Sequence, residues 1–196
     1  MDPPIKPSSE KETIATVSCR CKTSRRCKPS DRNCDYSTRT TSQSLLLKAI
    51  RARDEDFAIA LLETGADPDS RDAWGPAITQ ALRAGLRTLT RVLVARGADP
   101  NAKDVWGPVL TQAIRGTDSD LASRLLQMGA CPNARDIWGP ALTQAIRAKN
   151  ERLARELLET GAHPDVRDVW GSALAQARRT RSEQLVLTLI GHGAQL

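Results

Sequence analysis

Apolar residues in the middle of the chain recur at helical spacing and are then interrupted. Ile78, Ala81 and Leu82 share one face of a run that closes at Gly85, and Leu89, Val92 and Leu93 share a face of a second run that ends before Gly97. Pro76 stands at the head of the first run, at the first helical position, where a missing N–H does no harm. The pattern predicts two short helices followed by a turn-rich link, Asp99-Pro100-Asn101 through Gly107. At about two to three turns each, neither helix is stable alone. Its apolar face must be covered by something else in the chain.

That cover is supplied by repetition. Trp74, Trp106, Trp138 and Trp170 are spaced by 32 residues, and each is followed by Gly. The same period aligns Asp72, Asp104, Asp136 and Asp168, and also the Gly-Ala pairs at 65, 97, 129, 161 and 193. Lys48-Ala49-Ile50-Arg51 matches Gln80-Ala81-Leu82-Arg83, which extends the register back one unit. Five units result, at approximately 40–71, 72–103, 104–135, 136–167 and 168–196, the first lacking the Trp-Gly tip. Stacked units of this kind bury a continuous core that no unit could build alone.

The layout resembles the ankyrin repeat over residues 40–196. The matching landmarks are Asp72 two residues before Trp74-Gly75, the apolar-x-x-Ala helix start (Ile78, Ala81), the Leu pairs Leu61-Leu62, Leu125-Leu126 and Leu157-Leu158, and the run Gly97 to Asn101. Two features depart from the family. The unit is one residue shorter than usual, just after the turn Gly, and Pro-Ala-Ile-Thr at 76–79 replaces Thr-Pro-Leu-His, with Thr111 and Thr143 following and Ala175 breaking the pattern. The resemblance implies an all-α, ankyrin-type solenoid of stacked helix-turn-helix units with short hairpin-like turns. It also implies a function carried by protein contacts in a concave groove.

Residues that recur on that side form rows. Trp74, Trp106, Trp138 and Trp170 form one, and Arg51, Arg83, Arg115, Arg147 and Arg179 another. Trp and Arg are enriched among interface hot spots, and Arg offers a planar fork for carboxylates. Recurrence is equally a record of duplication, and Trp could instead stack on a neighbouring Arg as a structural ladder. Like charges about 10 Å apart in water repel by roughly 0.4 kcal/mol, so the Arg row needs no partner in order to exist. The Asp row could neutralise part of it. Gln80, Gln112, Gln144 and Gln176 make a third row, either an amide ladder between units or a reader of extended peptide backbone. The central copies Trp106, Trp138, Arg115 and Arg147 are the expected energetic core of a binding face.

Leu, Ile, Val and Phe contribute 40 residues and Ala 26, with a single Phe and a single Tyr, which favours close-packed helices. No apolar run approaches the roughly 18 residues of a membrane span, and the first ten residues lack the apolar core of a secretory signal. A cytoplasmic or nuclear protein is expected. Of the net charge of +6, residues 1–41 hold a surplus of four, with nine Lys/Arg against five Asp/Glu. The remaining 155 residues are nearly balanced, at twenty against eighteen.

Residues 1–39 read as a basic, flexible, Cys-rich tail. Cys19, Cys21, Cys27 and Cys34 could hold one zinc tetrahedrally, but the spacing lacks a Cys-x-x-Cys knuckle, and free thiols are the simpler reading. No cofactor is otherwise implied. Catalytic motifs are missing from the sequence, and His163 replaces the Asp67, Asp99 and Cys131 of other units as a local turn substitution. The chain therefore reads as a non-enzymatic module for another protein with an acidic or extended segment. The alternative is a nucleic-acid-associated protein that grips phosphate with its tail. At the C-terminal end, Leu187 replaces Arg91, Ser123 and Arg155 of earlier units. Local packing is the default expectation for it, and a face for a partner or second copy the other.

Overall fold

The computed structural model describes residues 36–195, with side chains from Gln43 onward. The tail cysteines Cys19, Cys21, Cys27 and Cys34, and the zinc and tail readings attached to them, lie outside the described residues. All of those described but Tyr36 fall in one compact unit, Ser37–Leu196, and they are mostly helical. Helix α1 (Tyr36–Ala52) and α2 (Glu55–Glu63) form the first pair. Four repeats of hairpin, helix and helix follow. The first comprises β1 (Arg71–Asp72), β2 (Gly75–Pro76), α3 (Ala77–Ala84) and α4 (Arg87–Ala95). Next come β3 (Lys103–Asp104), β4 (Gly107–Pro108), α5 (Val109–Arg115) and α6 (Ser119–Gln127). The third has β5 (Arg135–Asp136), β6 (Gly139–Pro140), α7 (Ala141–Arg147) and α8 (Glu151–Glu159), and the last β7 (Arg167–Asp168), β8 (Gly171–Ser172), α9 (Ala173–Arg179) and α10 (Glu183–Gly191). No helix among the described residues is long and apolar enough to cross a membrane.

The helices stack as the apolar pattern requires. The first helices α3, α5, α7 and α9 lie in sequence against one another, as do the second helices. Ala77, Ile78 and Ala81 are buried, as are Val109, Leu110 and Ala113 one unit on, and the second helices bury Leu89, Leu93, Leu121, Leu125, Leu153 and Leu157. Ala on facing first helices allows a close approach, and each buried Leu contributes on the order of 2 kcal/mol. Truncating one to Ala costs about 2–5 kcal/mol.

Three local details show how the chain fixes these elements. Pro76 caps α3 in an extended conformation rather than occupying its first turn, one residue earlier than the pattern predicted, because it also closes the hairpin opposite Arg71. It brings no capping side chain; the Ala77 N–H donates to the Ser70 carbonyl at 2.7 Å and the Thr79 hydroxyl donates to the Pro76 carbonyl at 2.9 Å. In the last unit Ser172 replaces Pro, and its hydroxyl accepts from the Ala175 N–H, a side-chain cap that Pro cannot supply.

Between the two helices of each pair the backbone turns through positive φ. Gly85 does this without strain, but Arg53, Thr117, Lys149 and Arg181 hold the same conformation at φ 56–59°. Helix α4 has Leu86 as its cap, with no side-chain acceptor, so Glu55 of the preceding unit accepts from the Leu89 N–H at 2.7 Å. The C-terminal end departs from expectation: Leu187 is 67% exposed, so it does not pack locally. Its equivalent Ser123 is buried and bonded to Glu156 of the following unit, whereas no unit follows α10 among the described residues.

Candidate partner-binding face

Each hairpin is organised from its aspartate. Asp72 Oδ1 accepts from the Trp74 N–H at 2.8 Å and from Gln80 Nε2 at 2.7 Å, and Gln80 Nε2 also donates to the Gly75 carbonyl at 2.7 Å. The same contacts recur at Asp104, Trp106 and Gln112, at Asp136, Trp138 and Gln144, and at Asp168, Trp170 and Gln176. The Gln row is thus neither a ladder between units nor a free peptide reader. Each amide nitrogen is committed to the hairpin of its own unit, and the residues are at most 5% exposed.

The hairpins are also tied to one another. A Cβ added to Gly107 would lie 2.5 Å from Asp136 Cβ, and one added to Gly75 would lie 2.7 Å from Asp104 Cβ, so only Gly allows this approach. Positive φ at both glycines, 112–114°, imposes the same requirement. The Asp Oδ2 atoms are buried without a hydrogen bond. Three of the four face a cation from the unit before: Arg51 to Asp72 at 3.5 Å, Arg83 to Asp104 at 3.7 Å and Arg115 to Asp136 at 3.6 Å. Arg83, Arg147 and Arg179 also donate to the carbonyls of Trp74, Trp138 and Trp170 of their own units at 3.0–3.5 Å. Arg51, Arg83 and Arg115 therefore brace one unit to the next, whereas Arg147 and Arg179 bond within their own units.

The tips contrast with this engaged base. The four tryptophans stand 48–63% exposed, their main chain held and their rings half in solvent. Trp138 borders a shallow groove of about 360 Å³ together with Ile114, Arg115, Gln144 and Arg147. The groove thus brings Trp138 together with Arg115 and Arg147, and Trp106 does not line it. Sequence reasoning passed over the residue before each Trp. Val105, Ile137 and Val169 are 70–87% exposed, more than any Trp. A β-branched apolar residue in a two-residue turn, where Asn, Asp or Gly is usual, was the available signal.

A second set of joints runs through the links. Asp69, Asn101, Asn133 and Asp165 each accept, through Oδ1, the N–H of the residue 30 positions on, at 2.7–2.8 Å: Asp99, Cys131, His163 and Gln195. Only the main chain of Cys131 and His163 takes part. Among the described residues no group of three or more His, Cys, Asp and Glu side chains is placed to hold a metal ion. No protein-family model matches the chain, and no curated protein does so.

Proposed function

We propose that the repeat region is an ankyrin-type solenoid acting as a non-enzymatic protein-interaction module, with the hairpin tips and first helices as its binding face. Support for the ankyrin reading comes from the fourfold order of hairpin, helix and helix, with neighbouring hairpins in contact. Support for the interaction comes from a single observation. Four Trp rings are held about half exposed in register, on hairpins fixed at the base by hydrogen-bonded aspartates. Large apolar side chains lined up in water mark a recognition surface. Trp74, Trp106, Trp138 and Trp170 supply the apolar contact, and Arg83, Arg115, Arg147 and Arg179 supply donors for carboxylates of an acidic or extended partner segment.

The test is selection from a displayed random-peptide library on the wild-type chain, followed by rebinding to a Trp106→Ala/Trp138→Ala variant of unchanged helicity. Clones that lose about tenfold or more in affinity on the variant are expected, as for hot-spot residues. A selection that yields no Trp-dependent clone overturns the reading.

A further inference from the structure

Summed along the chain, the repeats look nearly neutral, but sorted by position within the unit they are not. The four strips from hairpin to the end of the first helix, residues 71–83, 103–115, 135–147 and 167–179, hold nine Lys/Arg and four Asp. Those four Asp are the hairpin-base residues, with Oδ1 hydrogen bonded and Oδ2 buried. No other acidic residue lies in these strips. Acidic side chains occur instead on the second helices and links, such as Asp120, Glu151, Glu156 and Glu159. Arg71, Lys103, Arg135 and Arg167, in the first strand of each hairpin, are exposed and form no ion pair among the described residues. The apolar tips therefore share these strips with two rows of cations, the first-helix Arg and the strand residues, and with no exposed carboxylate row.

The row also has a pitch. Helices in contact lie about 8–10 Å apart, which sets the step from one first helix to the next. An extended chain covers about 7 Å in two residues, about 10 Å in three and about 13 Å in four. In the polyproline II conformation three residues advance about 9 Å and complete one turn, so every third side chain returns to the same side. An α-helix advances about 5.4 Å per turn, so it meets the step only every second turn and presents one side chain in about seven to it, where the polyproline II chain presents one in three.

Resting on the interaction reading above, we infer that this strip binds an acidic polypeptide segment in the polyproline II conformation, with an apolar side chain at every third residue. The apolar side chains seat between successive Trp rings, and the intervening carboxylates meet the two rows of cations. The exposed tip residues Val105, Ile137 and Val169 widen the apolar track.

The experiment uses labelled synthetic peptides and fluorescence anisotropy on the full chain. The probes are a Glu-Pro-Leu repeat, its Lys-Pro-Leu counterpart, a Glu/Leu peptide alternating with period two, a Glu/Leu helix-forming peptide, and oligothymidylate. The Glu-Pro-Leu repeat is expected to bind about tenfold or more tightly than the other peptides. It should lose about tenfold on Trp106→Ala/Trp138→Ala, and similarly on Lys103→Glu/Arg135→Glu, whose side chains are exposed. Equal binding of all acidic peptides overturns the three-residue register, and equal binding of the Lys repeat overturns the charge argument. Tighter, Trp-dependent binding of oligothymidylate overturns the proposal in favour of single-stranded nucleic acid. The library selection separates the two readings. Trp-dependent clones without acidic, three-residue periodicity sink this inference alone, whereas no Trp-dependent clones sink both.

Discussion

Asp136 and Trp138 lie two residues apart in the same hairpin, recur with the same period, and have opposite fates. Asp136 is at the base: its Oδ1 accepts from Trp138 and Gln144, and its Cβ fills the space that Gly107 leaves open. Trp138 is at the tip, with half its surface in solvent. Repetition alone therefore says nothing about purpose. Residues of the base recur because each joint between units needs them, and residues of the tip recur although the joints do not.

The comparison can be broken most directly at the base. Asp136→Ala strands two donors and the Arg115 cation, and should lower unfolding free energy by about 3–5 kcal/mol, measured by urea denaturation. Asp136→Asn keeps the Oδ1 acceptor and should recover much of that loss. An alanine variant as stable as wild type would mean that the base is decorative. Gly107→Ala comes next. It forces a Cβ against Asp136 and a strained φ, for an expected loss of about 2–3 kcal/mol in the same measurement.

At the tip, Trp138→Ala should cost only about 1–2 kcal/mol, below the 3–5 kcal/mol or so of a buried aromatic. The four tryptophans should emit at long wavelength and be readily quenched by acrylamide. Blue-shifted, protected emission would place the rings in the base category and erase the distinction. The smallest effect belongs to Val105→Ser, expected within about 0.5 kcal/mol of wild type by thermal melting. A larger loss would show that the tip supports the fold.

How much of this was legible in the sequence depends on how far each residue's partner lies from it. The paired helices were readable because apolar spacing and a 32-residue period describe contacts between like elements. Pro76 was placed one residue too late because its second role, closing a hairpin with Arg71, is invisible to helical periodicity. The Gln row was misread for a related reason. Gln80 reaches back eight residues to Asp72, and nothing in a helical wheel points there. The Arg–Asp pairing was foreseen in outline, since opposite charges recurred in neighbouring rows. The charge separation was hidden by counting along the chain, and Val105 and Ile137 by treating turn residues as fillers. Leu187 was assigned to local packing on the assumption that the last helix covers itself, which α10 does not.

The link joints have a consequence of another kind. On one side a carboxylate or amide oxygen is required, while on the other only a main-chain N–H is used, so Asp99, Cys131, His163 and Gln195 serve equally well. A tandem duplication of one whole unit carries its acceptor with it and finds a ready donor in any successor, whatever residue stands there. The array can lengthen or shorten by whole units without a matching mutation in the neighbour. The receiving positions are then free to drift, and an aspartate, a cysteine, a histidine and a glutamine at four equivalent places are the trace of that freedom.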